Sequence, residues 1–240
     1  MKKKSNYQNL IIAHRGVYDN KKIPENSILA FKKAIELKLP IELDVQLTKD
    51  NKLVVFHDNN LVRMTGYNNY VKELTLEEIR KLKLLDTKEK IPTLKEVLEL
   101  VDSKVLIDIE IKNTKQTNEI SYILLENLKH YKGNFIIKSF NPNIIKYLKK
   151  QEPSYTYGIL ISDKQENKFK KFLSTSTLLL HYYKPDFIAI SKYLIDDKNF
   201  KKFGKDHPIL IWSINSKEEL EKYYHQNYSY ICNNLPYKKN

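Results

Sequence analysis

PIELDVQLTKDNKLVVFHD, residues 40–58, is the stretch that decides how this chain folds. Ile41, Leu43 and Val45 alternate with Glu42, Asp44 and Gln46. Such a two-residue period belongs to a strand and sends the two sets of side chains to opposite faces. Glu42 and Asp44 therefore point the same way, about 6.6 Å apart along the strand. Two carboxylates on one face of an otherwise apolar strand repel each other and resist burial, so a cation belongs between them. A hard divalent ion with oxygen ligands is the simplest candidate. A second apolar run, Leu53-Val54-Val55-Phe56, then ends in His57-Asp58. The connection from Leu47 to Lys52 is too short for a crossover helix, which takes a dozen or more residues. Residues 42–57 are therefore expected to hold a hairpin or a distorted strand.

Working outward, strand-like runs recur at 9–13, 104–112, 134–139, 156–161, 186–190, 208–214 and 229–232, and most are separated by helical patterns. In 27–38, Ile28, Phe31, Ala34 and Ile35 share one helical face. Thr75 with Glu78, Thr93 with Glu96, and Ser216 with Glu219 have the spacing of capping boxes, and Pro142 suits the first turn of a helix. Alternating strands and helices over this length predict an α/β fold with a parallel sheet, a (β/α)8 barrel. Residues 59–103 hold two capped helices and few strand signals, and read as a small helical insertion into a single domain spanning 1–240.

The chain of 240 residues is 41% hydrophobic, enough for a sizeable core, and no apolar run approaches the ~20 residues of a membrane span. The basic start is followed by only Leu10 to Ala13 as an apolar block, too short for the core of a signal peptide. With a single cysteine, Cys232, a cytoplasmic location is expected. The net charge of +13 is almost all lysine, spread along the chain without a nucleic-acid-binding motif. Nucleic acid is not an expected partner; a small anionic substrate is, along with weak attraction to anionic membranes.

Four strand ends carry polar groups of complementary kinds. His14-Arg15-Gly16 follows Leu10-Ile11-Ile12-Ala13; the glycine permits a sharp turn and the arginine fork suits a phosphate. Glu42 with Asp44, and His57-Asp58, are the second and third. In the fourth, Asp108, Glu110 and Lys112 share one face of an apolar strand, which is hard to explain unless that face lines a polar site. Carboxylates for a divalent cation, cations for a phosphate and two imidazoles for proton transfer together make a phosphodiester-cleaving set.

The same residues carry a resemblance. HRG at 14–16, PENS at 24–27, ELDVQLTKD at 42–50, VVFHD at 54–58, LVRMTG at 61–66, IPTLKEVL at 91–98, IDIEIK at 107–112, SFNP at 139–142 and WSIN at 212–215 come in the order and spacing of the glycerophosphodiester phosphodiesterases. The chain resembles the short, single-domain bacterial members of that family. The resemblance implies a distorted TIM barrel, one divalent metal ion (Mg2+ or Ca2+), and hydrolysis of glycerophosphodiesters to glycerol 3-phosphate and an alcohol. By position it implies His14 and His57 as the acid/base pair, and Glu42, Asp44 and Glu110 as metal ligands. Arg15 and Lys112 match phosphate-binding positions, and Phe140 and Trp212 match pocket-lining aromatics. Glu25, in PENS, is expected to hold its loop.

Two departures stand out. Ile231-Cys232-Asn233-Asn234-Leu235-Pro236 replaces the family's closing Thr-Asp-x-Pro, with the loss of a carboxylate. Asp108 stands where an asparagine is common, which adds a negative charge beside the metal. Two further readings are a lysophospholipase D-like or phosphoinositide-cleaving relative, and a catalytically silent basic binding protein.

Overall fold

The computed structural model describes residues 9–163, 177–225 and 227–233. Strands β1 (Ile11–Ala13), β2 (Ile41–Leu47), β3 (Leu53–Val55), β4 (Ile107–Ile111), β5 (Phe135–Ser139), β6 (Tyr157–Ile161), β7 (Phe187–Ser191), β8 (Ile209–Ile214) and β9 (Tyr228–Cys232) form one sheet in the order β1-β9-β8-β7-β6-β5-β4-β2-β3. β1 also pairs with β2, which closes eight parallel strands into a barrel. Nine strand-like segments thus fit an eight-stranded barrel. The surplus one, β3, runs antiparallel to β2 with Val45 beside Val55, so of the two expectations for residues 42–57, a hairpin or a distorted strand, the hairpin is the one present.

Around the barrel lie α1 (Ile28–Glu36), α4 (Leu94–Val101), α5 (Thr117–Leu128), α6 (Pro142–Gln151), α7 (Thr177–Tyr183), α8 (Lys198–Phe203) and α9 (Lys217–Tyr223). The outward strand residues, among them Ile41, Leu43, Val45, Ile109 and Ile137, are fully buried beneath this helical shell. The stretch 59–103 divides in two. Short helices α2 (Val62–Thr65) and α3 (Leu76–Ile79) join Phe56, Leu61, Val71, Leu84 and Ile91 in a core of their own. α4, by contrast, packs Leu94, Val97, Leu98 and Val101 into the main core. Thr75 and Thr93 open α3 and α4 with complete capping boxes, each cap worth ~1 kcal/mol. Ser216 caps α9 alone. Its partner Glu219 instead takes the Lys192 ammonium at 2.6 Å and the Asn215 N–H, because a bond to a full charge outweighs a neutral one.

Inside the barrel, Ile12, Ile136, Leu160, Phe187, Ala189, Leu210 and Ile231 fill the space with apolar side chains. The carboxylates of β2 and β4 turn to the same interior. Parallel register sets Glu42 beside Asp108 and Asp44 beside Glu110, and β5 sets Lys138 beside Glu110. Neighbouring strands lie about 4.8 Å apart, so register alone brings acids from two chain segments into one cluster. Among the described residues no helix is long and apolar enough to cross a membrane.

Candidate active site

The polar cluster sits where the β-strands end, at the face on which barrels of this kind carry their chemistry. Oxygens of Glu42, Asp44 and Glu110, all buried, lie within 4.8 Å of one another. One Asp44 oxygen has no hydrogen-bond partner; the other accepts from Asn26 Nδ2 at 3.0 Å. Lys112 Nζ lies 2.8 Å from Glu110 Oε1 and 3.4 Å from Asp44 Oδ1. Beneath them, the fully buried Lys138 bonds Asp108 at 2.6 Å and Glu42 at 3.1 Å.

Arg15 is held from several sides. Gly16, at φ +81°, makes the turn after β1, and a Cβ there would lie 2.9 Å from the Ala30 backbone. Arg15 itself sits at φ +56°, a region costly for a side chain. Its N–H donates to Glu42 and its carbonyl accepts from the Asn26 N–H, which hold that conformation. Its guanidinium bonds Glu25 at 2.7 Å, with Nε 3.5 Å from Asp44. Glu25 also takes both terminal nitrogens of Arg63, which in turn clamps Asp58 at 2.6 Å. Asp58 accepts from His57 Nδ1 at 2.6 Å. Gln46 donates to the carbonyls of Phe56 and Asp58 on either side of His57. His14 donates through Nδ1 to Asn233 Oδ1 at 2.5 Å, which turns Nε2 toward Glu42 at 3.8 Å. Tyr18 donates to the same Asn233 oxygen, and the Asn233 amide donates to Asn215.

These ion pairs connect six carboxylates (Glu25, Glu42, Asp44, Asp58, Asp108 and Glu110) with four cations (Arg15, Arg63, Lys112 and Lys138). With every group ionised the set carries an excess of two negative charges, which one divalent ion would balance. The titration shifts follow the same geometry. Burial raises Asp44, but Lys112, His57, Arg15 and His14 outweigh it and hold it well below the usual range. Burial and the neighbouring Asp44 raise Glu110, the two adjacent acids splitting apart. Glu25 is lowered to about 2: burial opposes this, but Arg63 and Arg15 prevail. Burial lowers His14 against the pull of Glu42, so its ring favours the neutral form. Lys138 is buried too, but Asp108 and Glu42 hold it charged. Burial raises Asp108 to about 7 even with Lys138 bonded to it, a pairing not foreseen in the sequence reading.

One cavity is lined by His14, His57, Arg15, Lys112, Phe140 and Trp212, so the residues singled out for acid/base, phosphate and pocket roles come together there, above Glu42 and Glu110. Phe140 packs edge-on against Trp212, ring centres 5.7 Å apart. Glu25 fulfils its loop-holding expectation, since its N–H is bound by Asn20, and it also ties both arginines together. Sequence reasoning missed Asn233, Gln46, Arg63 and Lys138. Asn234, the position of the lost carboxylate, lies outside the described residues.

The glycerophosphoryl diester phosphodiesterase family model matches residues 14–222. This chain belongs to that family. A glycerophosphodiester phosphodiesterase of Caldanaerobacter subterraneus is 38% identical over 224 residues, covering 89% of this chain and 88% of the relative. A crystal structure of the Thermotoga maritima glycerophosphodiester phosphodiesterase superposes with a TM-score of 0.74 at 30% identity, covering 95% of this chain and 96% of that one. An Oleispira antarctica phosphodiesterase, solved with the product sn-glycerol 3-phosphate, has the same fold: TM-score 0.82 at 22% identity, over 96% of this chain and 95% of that one. The family model and the 38% identical relative make the chain a glycerophosphodiester phosphodiesterase by family.

Proposed function

We propose that this chain hydrolyses glycerophosphodiesters of deacylated phospholipids, such as glycerophosphoethanolamine and glycerophosphocholine, to sn-glycerol 3-phosphate and an alcohol. In this reading Glu42, Asp44 and Glu110 hold a divalent cation, and His14 and His57 transfer protons. The observation that carries it is one cavity in which two imidazoles, an arginine and a lysine face three clustered carboxylates. An all-oxygen carboxylate set in which the buried Asp44 Oδ1 accepts no hydrogen bond fits a hard ion such as Mg2+ or Ca2+. The ion, when bound, supplies Lewis-acid polarisation of a phosphoryl oxygen.

The chain's own groups do the rest. Arg15 and Lys112 neutralise charge on the phosphoryl oxygens as the attacking oxygen approaches phosphorus. One imidazole takes the proton of the attacking water or glycerol hydroxyl, and the other delivers a proton to the departing alcohol. Both rings are aimed through a bonded Nδ1, which leaves Nε2 as the working atom: Asn233 holds His14 and Asp58 holds His57. Phe140 and Trp212 wall the cavity on its apolar side and exclude water from the glycerol carbons. With both imidazoles and all three carboxylates in place, the catalytically silent alternative has nothing in its favour.

His14→Ala and His57→Ala test the reading. Each should lower turnover of glycerophosphoethanolamine by about 10²–10⁴-fold while the melting curve stays close to that of the unaltered protein. A variant that keeps near-normal turnover removes that histidine from the scheme.

A further inference from the structure

Beside the catalytic cavity lies a groove of about 400 Å3. The two share Lys112 in their linings, so the groove continues from the position where a phosphate would sit. Asn59, Tyr70 and Lys72 of the insertion and Asn113 and Lys115 of the loop that follows β4 form its polar walls, and Leu47 of β2 and Ile120 of α5 its apolar floor. A phosphodiester has two substituents on phosphorus, and the two spaces differ in chemistry. The catalytic cavity sets Phe140 and Trp212 beside groups of both charges, whereas the charged groups of the groove are all ammonium groups, set among amides and the apolar Leu47, Tyr70 and Ile120.

No Asp or Glu lines the groove, in a chain that has 29 of them. Lys112 is already engaged with Asp44 and Glu110, but neither Lys72 nor Lys115 pairs with a carboxylate among the described residues. A quaternary ammonium is usually recognised by open aromatic faces or by carboxylates. Tyr70 is the one aromatic side chain in this lining, and the Lys72 ammonium already sits 5.8 Å over its ring. A choline head would therefore find cations and no counter-charge. Hydroxyls find amide partners there, and a second phosphate finds two ammonium groups that have no carboxylate partner among the described residues.

We propose that this groove is the subsite for the leaving alcohol, and that Lys72 and Lys115 select alcohols that are polyhydroxylated and carry a phosphate of their own. The inference rests on the hydrolytic reading above and adds a substrate class to it.

The test compares kcat/KM for 1,3-bis(glycerophospho)glycerol, whose leaving alcohol is a phosphate-bearing polyol, with kcat/KM for glycerophosphocholine. The full chain is used, unaltered and as the Lys72→Ala/Lys115→Ala double variant. The unaltered protein should favour the bis-phosphodiester, and the ratio should fall about tenfold in the double variant, chiefly through KM. Raised salt should reduce the ratio in the same direction, since partly exposed charge contacts are screened. A preference for the choline diester, or a ratio unmoved by the substitutions, overturns the inference and leaves the hydrolytic reading standing. Hydrolysis of neither diester refutes that reading, and calorimetry then judges the groove. Titration of bis(glycerophospho)glycerol into His14→Ala protein should give a Kd that Lys72→Ala/Lys115→Ala weakens about tenfold. A Kd that the added substitutions leave unchanged refutes the subsite.

Discussion

Glu25→Gln isolates the network that ties the two arginines to the site. The Glu25 side chain is 5% exposed and accepts from Arg15, Arg63 and Asn20. Its carboxyl is lowered from 4.5 to about 2. A depressed carboxylate contributes stability that is fully present above its unfolded value near 4.5 and is lost as pH falls through 2. The shift corresponds to about 3 kcal/mol at pH 7 and roughly 1 kcal/mol at pH 3. The glutamine keeps the shape and gives up the charge, so both arginines lose their shared counter-ion. At about 2–4 °C per kcal/mol for a domain of this size, the variant should melt roughly 6–12 °C lower at pH 7. The difference between the two proteins should shrink by about half or more at pH 3. Thermal melts followed by far-ultraviolet circular dichroism at the two pH values provide the check. A deficit under 2 °C at pH 7, or one that does not change with pH, refutes the electrostatic argument.

Two more outcomes follow from the same network. Lys138→Met strands two buried carboxylates, Asp108 and Glu42, and should cost about 3–5 kcal/mol in urea unfolding; adding Asp108→Asn should restore a large part of that, and simple additivity of the two losses would show that the pair is not coupled. Asn233→Asp replaces a neutral acceptor for His14 with an anionic one, which favours the imidazolium and should move the His14 titration upward in an NMR pH series; an unmoved or lowered midpoint would show that Asn233 does not govern the ring.

Much of this site could be read from local pattern because its residues occupy strand ends. The two-residue period of Ile41 to Gln46 places Glu42 and Asp44 on one face whatever the sheet does next. The short run from Leu47 to Lys52 excludes a crossover helix for the same local reason, and the structure resolves the remaining choice as a hairpin. The rest depends on pairings between distant segments. Asn233 reaches His14 across 219 positions only because β9 closes the barrel against β1, and that pairing has no local signature. Arg63 meets Glu25 because the insertion folds back over the first loop. Asp108 was legible as an extra charge, but its partner Lys138 lies on another strand, where a lone lysine among Phe135, Ile136 and Ile137 gives no hint of its target. Glu219 shows the converse: its spacing from Ser216 is that of a capping box, but the tertiary fold supplies Lys192 as a stronger partner.

The measurement to make first is release of sn-glycerol 3-phosphate from glycerophosphoethanolamine by metal-stripped protein, before and after Mg2+ or Ca2+ is restored. The unaltered chain should be inactive when stripped and regain turnover with one of the two ions, whereas Glu110→Gln should recover little at the same ion concentration. Full turnover by the stripped protein, or equal recovery by Glu110→Gln, would mean that the carboxylate cluster of β2 and β4 does not hold a catalytic ion.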